Sequence, residues 1–325
     1  MLITKEEMKL KQKILSNKMF LDIDTLDLQG ELREQEPMSR HTTWKTGGNA
    51  DYYYIASDIK DLAKFISKLP SNIPITWVGL GSNLLVRDGG ISGVVISVAG
   101  FLNEIKKVTD TEIQIGAGAS CVKVAHFSAK HGLEGIEFLA GIPGTVGGAL
   151  AMNAGAYGGE IWSYILEVET INRQGMRRIF GKEKFDVSYR TVSIKEDEWF
   201  VACRMKLSTS TKTIVSERIK KLLKGRADQQ PLGQLSCGSV FRNPPNEHAA
   251  KLIDQCGLKG KRVGGAIVSE KHSNFIINTE NATSLDIEKL IEFVQKSVYK
   301  KHAIELIPEV RIIGEVCGEE DNAIA

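Results

Sequence analysis

AGIPGTVGGALAMNAGAYGG, residues 140–159, places seven glycines in twenty positions. A second cluster, Gly79-Leu80-Gly81-Ser82-Asn83, follows the apolar run Ile75-Thr76-Trp77-Val78. Glycine reaches positive φ and lets backbone N–H groups come close to a ligand. Successive N–H groups in such turns form a concave nest suited to phosphate. Two nests sixty residues apart, counted from Gly81 to Gly141, suit one extended ligand with two phosphates, such as a dinucleotide. Ser82 and Asn83 add side-chain hydrogen bonds. The longer stretch reads GxxGxxGG, not the GxGxxG that opens a Rossmann helix. Neither stretch contains the GxxxxGK[ST] of a P-loop. For either cluster alone, tight turns in a strand-rich domain are an equal account.

Around these clusters the pattern is one of short strands and turns with few helices. Tyr52–Ile55, Ile75–Val78, Val94–Val98, Glu112–Ile115, Ile165–Ile171 and Trp199–Leu207 read as strands. Asp58 is placed to cap a helix whose apolar positions are Ile59, Leu62, Phe65, Ile66 and Leu69, stopped by Pro70. Cys121–Lys130 reads as a second helix, ended by Gly132. This is α+β, not a regular βαβ alternation. Ser208–Lys212 (STSTK) is a polar break and the expected domain boundary. A charged helix from Ile214 to about Ala227 follows, then a helix near His248–Cys256 and strands near Gly265–Val268 and Asn274–Asn278. A long helix from Ser284 turns Ile287, Leu290, Ile291, Val294 and Val298 inward, and a strand Glu309–Ile313 is expected to close that domain.

The chain has 325 residues, 42% hydrophobic and 25% charged, as in an ordinary soluble protein of two or three domains. A formal net charge of +2 makes no case for nucleic acid or an anionic membrane. Cys121, Cys203, Cys237, Cys256 and Cys317 are scattered and form no CxxC pair. That argues against a disulfide framework or a metal site and suits the cytoplasm. The start, MLITKEEMKLKQKIL, has no apolar core of a secretory signal, and no uncharged run approaches the roughly 18 residues a membrane helix needs.

GLGSNLLVRDGG (79–90) together with the 140–159 stretch resembles the FAD-binding domain of the p-cresol methylhydroxylase and vanillyl-alcohol oxidase type. More narrowly, the chain is similar to the UDP-N-acetylenolpyruvoylglucosamine reductase family of peptidoglycan precursor synthesis, from about Ser39 to Gly314. The resemblance implies a two-lobed FAD-binding domain over residues 37–210, split near residue 105, and a smaller α+β substrate-binding domain over 211–317. A lead-in (1–36) and a tail (318–325) flank them. His41–Gly48 would open the FAD domain. Non-covalent FAD would be held by Gly79, Gly81, Ser82, Asn83, Leu84, Gly141, Pro143, Gly144, Gly147, Gly148, Asn153 and Gly155. NADPH would be the hydride donor and a UDP-sugar the substrate, in a cytoplasmic monomer.

Three more motifs match the family: Ser188-Tyr189-Arg190, Gly238-Ser239-Val240-Phe241-Arg242-Asn243-Pro244 and Pro308-Glu309-Val310-Arg311. The match implies a catalytic set of Arg190, Ser239 and Glu309. The reaction it implies delivers hydride to an enol ether of pyruvate, so charge spreads onto a carboxylate. A guanidinium forks onto such a group, a protonated carboxyl adds a hydrogen bond, and a held hydroxyl can protonate the adjacent carbon. Read singly, Arg190 is equally a surface residue, Ser239 a turn residue and Glu309 an exposed edge residue. Tyr189, Asn243, Arg226 and Gln230 are the expected substrate contacts. Cys237 reads as a small buried thiol. Only 48 residues lie between Arg190 and Ser239, too few for the inserted tyrosine loop of longer family members, so the resemblance is to the short form. A sugar or alcohol oxidase of the same cofactor fold, or a nucleotide-binding protein without redox chemistry, would share the glycine clusters.

Overall fold

The structure is a computed structural model that describes residues 28–279 and 281–317. A four-stranded sheet comes first, in the spatial order Glu31–Pro37, Asn49–Ile55, Ile91–Ser97 and Ile75–Val78. The outer pair is antiparallel and the others are parallel. Strand Asn49–Ile55 shows why period two matters. Tyr52 and Tyr54 pack with Leu62, Phe65 and Ile66 of helix Ile59–Lys68, whereas Tyr53 packs on the opposite face with Met38, Val78 and Val95. The Asp58 cap forms as expected, accepting from the N–H groups of Lys60 and Asp61.

The expected lead-in is corrected in part. Glu31–Pro37 is an edge strand, and Glu36 is buried, bonded to Arg33 at 3.1 Å and His41 at 2.7 Å. An edge strand has one open side, so its sequence (ELREQEP) carries little apolar signal. Residues 1–27 of that lead-in, and the 318–325 tail, lie outside the described residues.

At Ile105 the chain begins a second, five-stranded antiparallel sheet, ordered Arg177–Gly181, Ile165–Asn172, Glu198–Lys206, Glu112–Gly116, Ile105–Lys107. Helices Cys121–Lys130 and Val146–Ala151 cover it, with Val124, Leu133, Val146 and Leu150 in the shared core. Helix Lys212–Gln229 belongs here too: Val215 and Ile219 are buried in this core. The polar break is therefore not a boundary in packing. Ser208–Thr209 pairs with Leu133–Glu134, and the Thr211 hydroxyl caps the helix by accepting from Ile214 N–H at 3.3 Å. Helix caps and linkers use the same short polar residues, which is why the stretch resembled a linker.

The rest of the chain builds a small antiparallel sheet, Arg262–Val263, Ala266–Val268 and Ile276–Asn278, against helix Ser284–His302. All five apolar positions expected to face inward on that helix are buried. This core takes Trp44 and Leu85 from the first sheet region. Trp44 Nε1 donates to the Ile276 carbonyl and Asn278 Nδ2 donates to the Trp44 carbonyl, both at 2.8 Å. The expected closing strand also crosses over: Arg311–Ile313 pairs in parallel with Leu84–Val86. Nearby, the Asp88 carboxylate accepts from Ser284 and Leu285 N–H at 3.0 Å each, and Arg87 forks onto Glu288. No helix among the described residues is long and apolar enough to cross a membrane.

Asp88→Ala leaves two N–H groups at the start of helix Ser284–His302 without their acceptor. The expected loss of stability is about 1 kcal/mol, the usual cost of a lost cap. A urea titration of the purified chain reads it as a lower midpoint, and an unchanged midpoint would show the cap to be dispensable.

Candidate active site

The two glycine stretches meet in space. A Cβ on Gly79 would lie 2.4 Å from Thr145 Oγ1, and one on Gly144 would lie 3.3 Å from Ser82 Oγ. Gly81 sits at φ +61°, and a Cβ there would fall 1.9 Å from the His41 carbonyl. The seven glycines of residues 140–159 then sort into groups. Gly147 is pressed against Ala117, Gly155 against the Gly159 carbonyl and Gly159 against Phe138, each within 3 Å of an added Cβ. The chain itself requires these three to be small. Gly141, Gly144 and Gly148 have no protein atom nearer than 3.3 Å and face a cavity of about 340 Å³.

Of the residues expected to hold FAD, Gly79, Gly81, Ser82, Asn83, Leu84, Gly141, Pro143, Gly144, Gly148 and Gly155 line this cavity. Gly147 and Asn153 do not line it. Gly147 is buried in the helix packing, and Asn153, 1% exposed, spends its amide on Glu160 Oε2 at 2.9 Å and the Ser188 carbonyl at 3.1 Å. A larger space of about 780 Å³ adjoins through Gly79, Leu80, Pro143 and Arg226, with Arg33, Arg40 and Lys45 on its walls. A long, partly anionic ligand fits this cleft. Two polar atoms on its walls, Thr43 Oγ1 and Trp77 Nε1, are buried without a hydrogen-bond partner and so are available to a ligand. The residues present therefore fit a flavin dinucleotide.

The three expected catalytic residues come from separate segments and share the cavity wall. Phe241 bridges to Pro308 and the Glu309 N–H donates to the Val240 carbonyl at 2.7 Å, so the segments carrying Ser239 and Glu309 run side by side. Arg190 sits at the tip of a short hairpin in which Val187–Ser188 pairs with Thr191–Val192, in a left-handed conformation with φ +56°. Its Nε donates to Glu309 Oε1 at 2.9 Å, its Nη2 to the Gly155 carbonyl at 2.7 Å and its Nη1 to the Asn153 carbonyl at 3.4 Å. Asn83 joins the glycine turn to this group, donating to the Glu309 carbonyl at 3.0 Å and Met152 Sδ at 3.5 Å. Burial pushes the Glu309 carboxyl above its ordinary pKa, against the opposing pull of Arg190 and Arg242. Burial also pushes the Cys237 thiol well up, in keeping with an inert buried cysteine.

The expected substrate contacts divide. Tyr189, half exposed, lies under the Arg190 guanidinium at 5.0 Å. Arg226 lines both cavities and donates to Gln230 Oε1 at 2.8 Å; burial lowers its pKa. Asn243 lines the cavity, but its Oδ1 accepts from Ala249 N–H at 3.1 Å. Among the lining residues without a sequence assignment are Thr145, which caps helix Val146–Ala151, Met152 and Arg311. The only sequence signal for Thr145 was its place before that helix, and Arg311 lay within an already matched motif. Among the described residues no group of His, Cys, Asp and Glu could hold a metal ion.

A Cβ at Gly148 faces the cavity and meets only Thr145 Oγ1, at 3.6 Å, whereas one at Gly147 meets Ala117 Cβ at 2.9 Å. Gly148→Ala is expected to unfold at the wild-type urea midpoint while FAD, added to apoprotein, binds at least about tenfold more weakly. Gly147→Ala is expected to lose about 1–3 kcal/mol of stability, the range for overpacking. Fluorescence titration and urea unfolding separate the two, and equal effects in both variants would contradict the sorting.

Comparison with known proteins points one way. The family described as "UDP-N-acetylenolpyruvoylglucosamine reductase, C-terminal domain" matches residues 230–313, and "FAD binding domain" matches residues 50–180. A UDP-N-acetylenolpyruvoylglucosamine reductase of Legionella pneumophila (strain Corby) is 52% identical over 288 residues, 88% of this chain and 94% of its own. One from Nitrosococcus oceani is 49% identical over 295 residues, covering 90% and 98%. A crystal structure of the corresponding reductase of Thermus caldophilus superposes with a TM-score of 0.74 at 30% identity, covering 88% of this chain and 99% of that one.

Proposed function

Because this chain belongs to the UDP-N-acetylenolpyruvoylglucosamine reductase family, we propose that its cleft reduces UDP-N-acetylglucosamine enolpyruvate to UDP-N-acetylmuramate. Hydride comes from NADPH by way of FAD. The chain is thus an FAD- and NADPH-dependent oxidoreductase of peptidoglycan precursor synthesis. The observation that carries the reading is the Arg190–Glu309 ion pair, with Ser239 beside it, on the wall of the glycine-lined cleft.

Residues 37–210, with helix Lys212–Gln229 packed on them, would serve the cofactor, and the rest of 211–317 the substrate. FAD, held along Gly79–Asn83, Gly141, Gly144 and Gly148, would supply the hydride needed at the terminal carbon of the enol ether double bond. Arg190 has five N–H donors, and three are held by Glu309, Gly155 and Asn153. Two remain for the substrate carboxylate as charge gathers there, and the fixed geometry means no reorganisation is needed at that moment. Glu309 keeps a second oxygen free of Arg190 Nε. In its protonated form that oxygen donates a further hydrogen bond to the enediolate. Ser239 delivers the proton to the adjacent carbon; a hydroxyl is a weak acid, but the intermediate is a strong base.

Arg226 and Gln230 would receive the UDP phosphates at the junction of the two cavities. Tyr189 would pack on the substrate, and the Asn243 amide nitrogen would face the sugar. The proposed enzyme acts as a monomer on a small UDP-sugar. The cysteines are all unpaired, which supports a cytoplasmic enzyme.

In FAD-loaded Ser239→Ala, NADPH is expected to reduce the flavin normally while turnover falls more than about a hundredfold, the scale of a lost general acid. Anaerobic stopped-flow and steady-state assays read the two separately, and near-normal turnover removes Ser239 from the mechanism. The sign of the Glu309 shift yields a second expectation. A carboxyl whose pKa is raised in the fold keeps its proton to higher pH, so turnover is retained above pH 4.5, the ordinary value, and falls as pH rises through the raised one. Glu309→Gln keeps a neutral donor and is expected to lose that alkaline limb. A limb that persists there belongs to another group.

A further inference from the structure

Arg242 lies on the segment that pairs with Pro308, and its N–H donates to the Ile307 carbonyl at 2.9 Å. In that antiparallel register Val240 stands opposite Glu309, so Arg242 and Glu309 share one face of the ribbon as diagonal neighbours. The Arg242 Nη1 reaches Thr191 Oγ1 at 3.4 Å, on the hairpin that carries Arg190. Its Nε is buried without a hydrogen-bond partner. Leaving such a donor unpaired costs stability, and a fold tolerates it most readily where the charge serves another group. Arg242 does not line the cavity, so any action on the reaction passes through Glu309 and Thr191.

We propose that Arg242 is a positioning residue for the reductase reaction: it flanks Glu309 with a second guanidinium and ties the Arg190 hairpin to the segment carrying Ser239. The inference rests on the reductase reading of the cleft. Its physical content is charge balance. Arg190 pairs with the Glu309 carboxylate directly and Arg242 acts on it through space, so a positive charge is left over when Glu309 is ionised, and two are left when it is protonated. That surplus faces the place where the substrate carboxylate gains negative charge. At the hairpin tip Val187, Ser188, Tyr189 and Thr191 are exposed; Val192 packs on the core, and Arg190, Asn153 and Arg242 add the polar ties. The ionisable groups acting on Glu309 are Arg190, Arg242 and the buried Cys237 thiol, with Arg311 further along the same segment on the cavity wall. Burial raises the Glu309 pKa and the two arginines oppose it, so loss of Arg242 raises it further.

The test is steady-state NADPH oxidation by FAD-loaded enzyme with saturating UDP-N-acetylglucosamine enolpyruvate, across pH. Arg242→Met, or Arg242→Gln if the first does not fold, is expected to lower kcat about tenfold and to move the alkaline limb up by about one pH unit, the effect of one nearby charge. Arg242→Lys is expected to restore the limb but not the full kcat, since an ammonium lacks the fork that reaches Thr191. Thr191→Val is expected to lower kcat with the limb unmoved. A wild-type limb in the neutral variants, or a shifted limb in Arg242→Lys, overturns the role of Arg242. Absence of substrate-dependent NADPH oxidation in the wild-type enzyme instead overturns the reductase reading, and with it this inference.

Discussion

The parallel pairing of Arg311–Ile313 with Leu84–Val86 is the contact on which the site depends. One strand follows the first glycine turn and the other follows Glu309, more than two hundred residues later. Their ladder fixes Asn83 beside the Glu309 backbone, where its amide donates to the carbonyl at 3.0 Å. Because backbone hydrogen bonds set the register, the first glycine turn and Glu309 cannot slide past each other. The Asp88 cap, the Arg87–Glu288 fork and the Trp44 bonds hold the same junction from other sides.

The glycines around this junction serve two physical needs. Gly147, Gly155 and Gly159 let the chain's own segments close up, while Gly141, Gly144 and Gly148 leave bare backbone facing a cleft. The first kind is a requirement of folding and the second of binding. Only neighbours in space distinguish them, since both are the same letter in one twenty-residue run.

The chemistry reads from a charge arrangement. Arg190 is desolvated, half satisfied by carbonyls and paired with a carboxyl whose burial resists ionisation. A site built in this way keeps donors unspent, as the proposed stabilisation of substrate charge requires. Arg242 extends the arrangement by one more cation at one remove, through the hairpin and the ribbon.

Much of the local structure was legible from period and punctuation. The Asp58 cap, helix Cys121–Lys130 and the inward face of helix Ser284–His302 stand where spacing put them, because each is decided by neighbours within a few residues. The family was legible as a motif resemblance, and the proposed trio came with it, but no spacing stated that Arg190, Ser239 and Glu309 would line one cavity. The edge strand Glu31–Pro37 was hidden because an edge needs little apolar signal, and STSTK passed for a linker because caps and linkers share composition. Asn153, expected as a cofactor contact, is buried and spends its side-chain amide on Glu160 and the Ser188 carbonyl of the hairpin. Sequence alone determined the family, the residues that match its motifs and which segments curl or extend, since those depend on side-chain type and local backbone preference. Only the tertiary structure decided which of them face the cleft, because convergence comes from long-range strand pairing and packing that no local pattern encodes.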